Sequence, residues 1–305
     1  MSSQASSTAP TEPLPVNRQS RLRGPSQRLD TRIHAIRPDL ADLCLADRVL
    51  APRYSAGIER RGCRAETPIH AAASAASVVV STLLYGEAFT TFECAGGWAW
   101  GQCGTDGYVG WIPEAVLDAP AVATHRITAP GALVFADASI KSAVRAGLPL
   151  NAHITATTTD GDFHALADRQ GWVHRAHVAP LTGDIVDLAQ AFIGTPYRWG
   201  GRSRAGIDCS GLVQAVLLAH GIECPRDSDQ QLAALPPIDP ATRRRGDIAF
   251  FPGHVGLMVD AERILHANAH AMTTLIEPLA AVLDRFPATC TKPLTGVARP
   301  PLSRP

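Results

Sequence analysis

Two stretches of this chain end alike. Gly107-Tyr108-Val109 leads to Leu117, and Gly171-Trp172-Val173 leads to Leu181, ten residues from glycine to leucine each time and 64 residues apart. A self-match at a fixed offset points to two copies of one small unit. Around each copy, runs rich in Val, Thr, Phe, Trp and Tyr alternate with Gly-rich turns. They fall at 77–84, 88–93, 98–102 and 107–112 in the first copy, and at 132–135, 153–158, 163–167 and 171–174 in the second. β-Branched and aromatic runs between turn residues read as strands, so residues 63–120 and 121–182 are expected to be two small β domains.

Past Gly183 the pattern changes class. Asp184 can cap a helix that buries Ile185, Leu188, Ala189 and Phe192, with Gly194 to end it and Pro196 to prevent its return. A Gly- and Arg-rich loop comes next, and a second helix starting near Cys209 would bury Leu212, Val213, Val216 and Leu217 before Gly221 stops it. Strand-like runs succeed it, at 247–251, 254–259 and 264–267. Helices ahead of strands, rather than alternating with them, predict an α+β unit over 183–300.

Composition narrows what such a protein can do. Lys plus Arg and Asp plus Glu are both 28, so there is no basic field to recruit nucleic acid or an anionic membrane. The longest apolar stretches, 78–84 and 212–219, fall well short of the ~18 residues of a membrane span. Residues 1–30 carry four arginines among Ser, Pro and Gln with no hydrophobic segment, which predicts a disordered tail rather than a secretory leader. Residues 31–62 read as a connector that packs against the domain after it. Seven cysteines without CxxC spacing argue against a disulfide framework and for the reducing cytoplasm.

One of those cysteines is placed for chemistry. Cys209 opens the second helix of the α+β unit, where the positive end of the helix dipole favours the thiolate, the reactive form of the group. The plainer reading is a buried small hydrophobe. A nucleophilic cysteine needs an imidazole to take its proton and a third polar group to fix the imidazole's tautomer. His254 and His266 lie on two strand-like runs, each beside Gly or Ala that leave room for a ligand. If those strands are neighbours, the two rings can lie side by side and face the helix.

Six motifs occur in order: Thr195-Pro196-Tyr197-Arg198-Trp199-Gly200-Gly201, Asp208-Cys209-Ser210-Gly211-Leu212-Val213-Gln214, Pro225-Arg226-Asp227-Ser228, Arg245-Gly246-Asp247-Ile248-Ala249-Phe250-Phe251, Gly253-His254-Val255-Gly256 and His266-Ala267. Over about residues 184–298 the chain resembles the NlpC-type (NlpC and p-sixty) cell-wall cysteine peptidases. The resemblance implies a papain-like catalytic domain preceded by two small SH3-like β-barrels, whose final hairpins the glycine–aromatic–valine triplets resemble. It also implies Cys209 as nucleophile, His254 as general base and His266 as the orienting third member. Tyr197 matches a tyrosine beside the nucleophile that helps the oxyanion site.

SH3-like domains ahead of such a domain resemble the γ-D-glutamyl-L-diamino-acid endopeptidases that recycle murein peptides carrying a free N-terminal L-Ala. This implies a carboxylate opposite the substrate ammonium, because an acylated end would leave that carboxylate unpaired. Asp208 is the candidate, with Ser210 and Ser228 holding the same end and Tyr108 closing the pocket. The plainer alternative for Asp208 and for Ser228 is a helix N-cap. Arg226 could meet a substrate carboxylate or pair with Asp227 or Asp229.

Murein-derived peptides are the implied partners; no nucleic acid, membrane, metal or cofactor is expected, and oligomeric state is open. His266 with His270, and His220 with Cys224, have four-residue spacing but resemble no closed zinc pattern. The same Cys-His core could serve an amidase or acyltransferase, or be a murein-binding module without catalysis. Whether the diamino acid is meso-diaminopimelate or lysine is also open.

Overall fold

The structure, a computed structural model, describes residues 27–167, 170–181 and 183–301. The tail expected at residues 1–30 thus lies almost wholly outside the described residues. Three sheets organise the chain. The first runs, in spatial order, Val79–Leu84, Glu66–His70, Val109–Pro113, Trp98–Cys103, Ala88–Ala95, Ile58–Gly62 and Leu117–Asp118. The second runs Val144–Pro149, Gly131–Phe135, Trp172–His174, Phe163–Leu166 and Ala156–Asp160.

Five strands of the first sheet therefore recur in the second in the same order: second, first, fifth, fourth, third along the chain. The bulges recur as well, at Ile69/His70 and Val134/Phe135, and again at Thr91/Glu93 and Ala156/Thr158. Each unit closes its own core, one around Ile69, Leu83, Phe89 and Ile112, the other around Val134, Leu148, Ile154 and Val173. The strands differ from expectation in two places. Ile58–Gly62, placed in the connector from sequence, is a strand of the first sheet, paired with Ala88–Ala95 and Leu117–Asp118. Glu66–His70 and Val144–Pro149 are strands that the sequence pattern did not reveal.

The third sheet runs Pro237–Ile238, Gly296–Ala298, Ile248–Phe251, His254–Met258, Arg263–Asn268 and Thr273–Pro278, antiparallel throughout. Four short helices accompany it: α1 (Ile185–Gln190), α2 (Cys209–Ala219), α3 (Ser228–Ala234) and α4 (Leu279–Leu283). At α1, Asp184 accepts from the N–H groups of Val186 and Asp187 while Asp187 reaches back to the Asp184 N–H, a reciprocal cap. Every residue of α2 is buried. A helix apolar all round needs cover on every side, and here the sheet packs on one face while the second β unit holds its far end. Arg126 donates to the carbonyls of Leu218 and Ala219 at 2.6 and 3.0 Å, and Asn151 donates to that of Ala215. Among the described residues no helix is long and apolar enough to cross a membrane.

The first β unit is joined to the α+β unit through charge. Arg202 forks onto Glu87 at 2.8 and 3.0 Å and also donates to the Thr82 carbonyl, with the pair 2% and 1% exposed. Thr82 in turn donates to the Gly200 carbonyl, and Glu66 receives Arg198 and Ser203.

Candidate active site

Cys209 is the first residue of α2, and Asp208 is its N-cap. Asp208 Oδ1 accepts the Gly211 N–H at 2.7 Å, which fixes the first turn. Gly211 is required there, because a Cβ would lie 2.3 Å from the Gly201 carbonyl oxygen. The thiol is buried, and the backbone N–H of Val255, the residue after His254, is among the groups that favour its thiolate. The sheet thus delivers the imidazole to the helix terminus.

His254 and His266 sit on neighbouring strands, as their spacing allowed. Their ring centroids are 4.9 Å apart, and His254 Nε2 meets His266 Nδ1 at 2.6 Å. Gly256 makes room for this, since a Cβ there would lie 2.9 Å from His266 Cβ. With Nε2 so engaged, Nδ1 is the ring nitrogen of His254 that is not spent on His266. Tyr197 lines the same side of the cleft as His254. Its hydroxyl is pushed up by burial and then by the charges of Cys209 and Asp208.

The electrostatics depart from the expectation set by the helix dipole. Burial first, then the Asp208 carboxylate, push the Cys209 thiol up to about 11, outweighing the N–H groups of Val255 and Ser210. Burial first, then His266, push His254 down to about 4. Both shifts favour the uncharged forms. Cys209 is thus favoured as a thiol and His254 as a neutral imidazole.

Asp208 lines the cleft, yet both its oxygens are spent within the protein. Arg226 donates Nη1 to Oδ1 at 2.9 Å and Nη2 to Oδ2 at 2.6 Å, while Oδ2 also takes the Gly200 N–H. The partner of Arg226 is therefore neither Asp227 nor Asp229, because the side chain turns inward and is 1% exposed. Ser210 Oγ sits between the two, accepting from Arg226 and donating to Asp208. The N-cap of α3 is Asp227, not Ser228, which is the first helical residue and lines the cleft.

Arg32, which the sequence pattern did not single out, and Tyr108, which it did, complete the wall. Arg32, from the connector, donates to Asp227 and Asp229 at 2.9 Å each, and also to Asp30. Tyr108 donates its hydroxyl to Asp227 at 3.2 Å. Cys209, Tyr108, Arg32, Asp208, Ser210 and Ser228 all line one cavity, which meets the His254 side of the cleft at Trp199 and Gly253. On that second side Glu277, also missed, accepts from His266 Nε2 at 2.7 Å. His220, by contrast, bonds the Val216 carbonyl of its own helix. Among the described residues no three His, Cys, Asp or Glu side chains are grouped to hold a metal ion.

Comparison with known proteins agrees with this architecture. Residues 194–281 match the NlpC/P60 family, and residues 69–117 match the bacterial dipeptidyl-peptidase SH3 domain. A γ-D-glutamyl-L-lysine dipeptidyl-peptidase of Bacillus cereus is 27% identical over 201 residues, 57% of this chain and 60% of that protein. The aligned part of the chain thus spans less than two thirds of that relative's length. Dipeptidyl-peptidase 6 of Lysinibacillus sphaericus is 41% identical over 88 residues, 28% of this chain and 32% of its own. The crystal structure of an NlpC/P60 family protein from Bacillus cereus superposes with a TM-score of 0.68 at 19% identity, covering 79% of this chain and 99% of that one. Cys209, His254 and His266 all fall within the first of these matches, and the chain carries a domain of the NlpC/P60 family of cysteine peptidases behind a bacterial dipeptidyl-peptidase SH3 domain.

Proposed function

We propose that this protein is a cysteine endopeptidase that hydrolyses the γ-D-glutamyl to diamino acid bond of murein peptides whose L-Ala has a free amino end. The observation that carries this reading is that the thiol of Cys209 shares a cavity with Tyr108 and Val80 of the first β unit and with Arg32 of the connector. A cleft that ends on a neighbouring unit suits a short N-terminal dipeptide. The wall is also anionic: Asp30, Asp227 and Asp229 surround the single guanidinium of Arg32, which favours an ammonium over an acylated end. Asp208, pinned by Arg226, forms the floor with Ser210, while Tyr108, Asp227 and Ser228 form the side that meets the amine.

In this reading His254 Nδ1 takes the thiol proton as Sγ attacks the γ-carbonyl carbon. The Cys209 N–H and the Tyr197 hydroxyl receive the developing oxyanion. The imidazolium then gives its proton to the departing amine, leaving a thioester at Cys209, and His254 activates the water that hydrolyses it. The β repeat supports reading both N-terminal units as SH3-like barrels, and the helix-against-sheet placement of Cys209 and His254 supports a papain-like catalytic unit. All seven cysteines are unpaired thiols, which supports a reducing compartment and a recycling role there.

The test is hydrolysis of L-Ala-γ-D-Glu-meso-diaminopimelate beside the same tripeptide acetylated on its amino end and the lysine analogue, with a chelator control. Cleavage of free peptides alone, indifferent to chelator and lost in Cys209→Ala, is the expected result. Equal cleavage of the acetylated peptide would remove the amine pocket. Wild-type-like hydrolysis by Cys209→Ala would remove the mechanism.

A further inference from the structure

We propose that Glu277 is a positioning residue that sets the tautomers of both histidines, so that the bare nitrogen of His254 faces the Cys209 thiol. The inference rests on the reading of His254 as general base. Glu277 lies on the strand Thr273–Pro278, paired with Ile264, two residues along from His266 and on the same face. Its Oε1 is 2.7 Å from His266 Nε2 and also receives Asn268 Nδ2 at 2.8 Å and Arg285 Nη1 at 2.7 Å. Arg285 Nη2 holds the other oxygen.

These contacts dictate the tautomers in turn. With both oxygens held by Arg285 and Asn268, Glu277 is an ionised carboxylate, an acceptor only. A bare His266 Nε2 would set lone pair against lone pair at 2.7 Å, so Nε2 carries the proton. The imidazole of His266 is kept neutral by burial, and its Nδ1 is therefore an acceptor. At 2.6 Å from that acceptor, His254 Nε2 must in turn donate. One proton remains for a neutral His254, and it is already placed on Nε2. Its Nδ1 is left bare, as a base must be. When His254 takes the thiol proton it becomes an imidazolium, and the same relay from His266 to Glu277 stabilises the new charge. Arg285 and Asn268 hold Glu277 in place, and Asn268 Nδ2 also lies 3.4 Å from His266 Nε2, a longer contact than the one from Glu277.

The test reads the tautomers directly. Long-range nitrogen–proton spectra of the histidine-labelled full chain at neutral pH should show His254 and His266 both protonated on Nε2. In Glu277→Gln, whose amide can offer either an oxygen or an N–H, His266 should lose its single tautomer. Its kcat should then fall about 10- to 100-fold with KM unchanged, a part of what a positioned acid–base group contributes. Nδ1 protonation of either ring in the wild type overturns the proposal, as does Glu277→Gln with an unchanged spectrum and kcat within about twofold. Should Glu277→Gln not fold, the wild-type spectrum alone decides. An enzyme inactive on the peptide but with both Nε2 protons in place would sink the peptidase reading and leave the relay standing.

Discussion

Arg226 holds Asp208 in a two-point fork, Nη1 to Oδ1 at 2.9 Å and Nη2 to Oδ2 at 2.6 Å, with the two side chains 1% and 6% exposed. Asp208 caps the helix that begins with Cys209, so the fork sets the position of that thiol. Removing one member of a buried pair leaves the other charge without compensation. Arg226→Met is expected to lower the unfolding free energy by about 3–5 kcal/mol. Arg226→Lys should recover only part of this, since an ammonium cannot span both oxygens. Denaturant unfolding measures both, and a loss below about 1 kcal/mol for Arg226→Met would mean that the fork does not hold the helix terminus.

How much of this could be read from sequence depended on whether partners are near along the chain. The start of α2 was legible because an Asp three residues before a Gly, ahead of an apolar run, is a local capping signal. The meeting of His254 with His266 needed only two adjacent strands. Arg226 was harder, because Asp227 and Asp229 are its neighbours in sequence while its partner lies 18 residues away. Arg32 and Asp227 are 195 residues apart, and no local pattern links them. The strand carrying Glu277 comes after a turn through Met272 in the left-handed region at φ 55°, which lacks the Gly or Asn that usually marks such a turn. Glu66–His70 contains Pro68, which argues against a strand. It is tolerated because pairing with Val109–Pro113 is confined to His70 and Trp111.

The state of the thiol gives a pH-dependent prediction. With Cys209 pushed up to about 11 and His254 down to about 4, the resting pair is uncharged. Iodoacetamide should therefore label Cys209 slowly at neutral pH, with a rate that rises steadily into the alkaline range. A preformed thiolate–imidazolium pair would instead label fast and evenly from about pH 5 to 8. The same shift bears on stability. The unfolded chain regains an ordinary imidazole near 6.5, so between there and about 4 it binds a proton that the folded His254 refuses. Stability is complete above the upper limit and falls as pH drops through this window. His254→Gln should flatten that fall, and an unchanged slope would show that other groups carry it.

The buried Arg202–Glu87 pair ties the first β unit to the catalytic unit. Glu87 is saturated: besides the Arg202 fork it receives the Leu84 N–H at 2.8 Å and the Thr105 hydroxyl at 2.9 Å. Arg202 has no charged alternative among its hydrogen bonds, which otherwise reach only the Thr82 carbonyl. Glu87→Gln should cost about 3–5 kcal/mol by stranding a guanidinium in the interface. Replacing both, as Glu87→Leu with Arg202→Met, should cost less than the two single changes combined, because the desolvation of both charges is removed along with their attraction. The double-mutant cycle, read by unfolding with separate probes in the β unit and in α2, also tests cooperativity. If the interface makes one folding unit, both probes lose structure together in the wild type, and the single variant separates them, with the β unit melting at lower denaturant. Coincident transitions in every variant, with additive costs, would mean that the pair contributes packing to each side without coupling them.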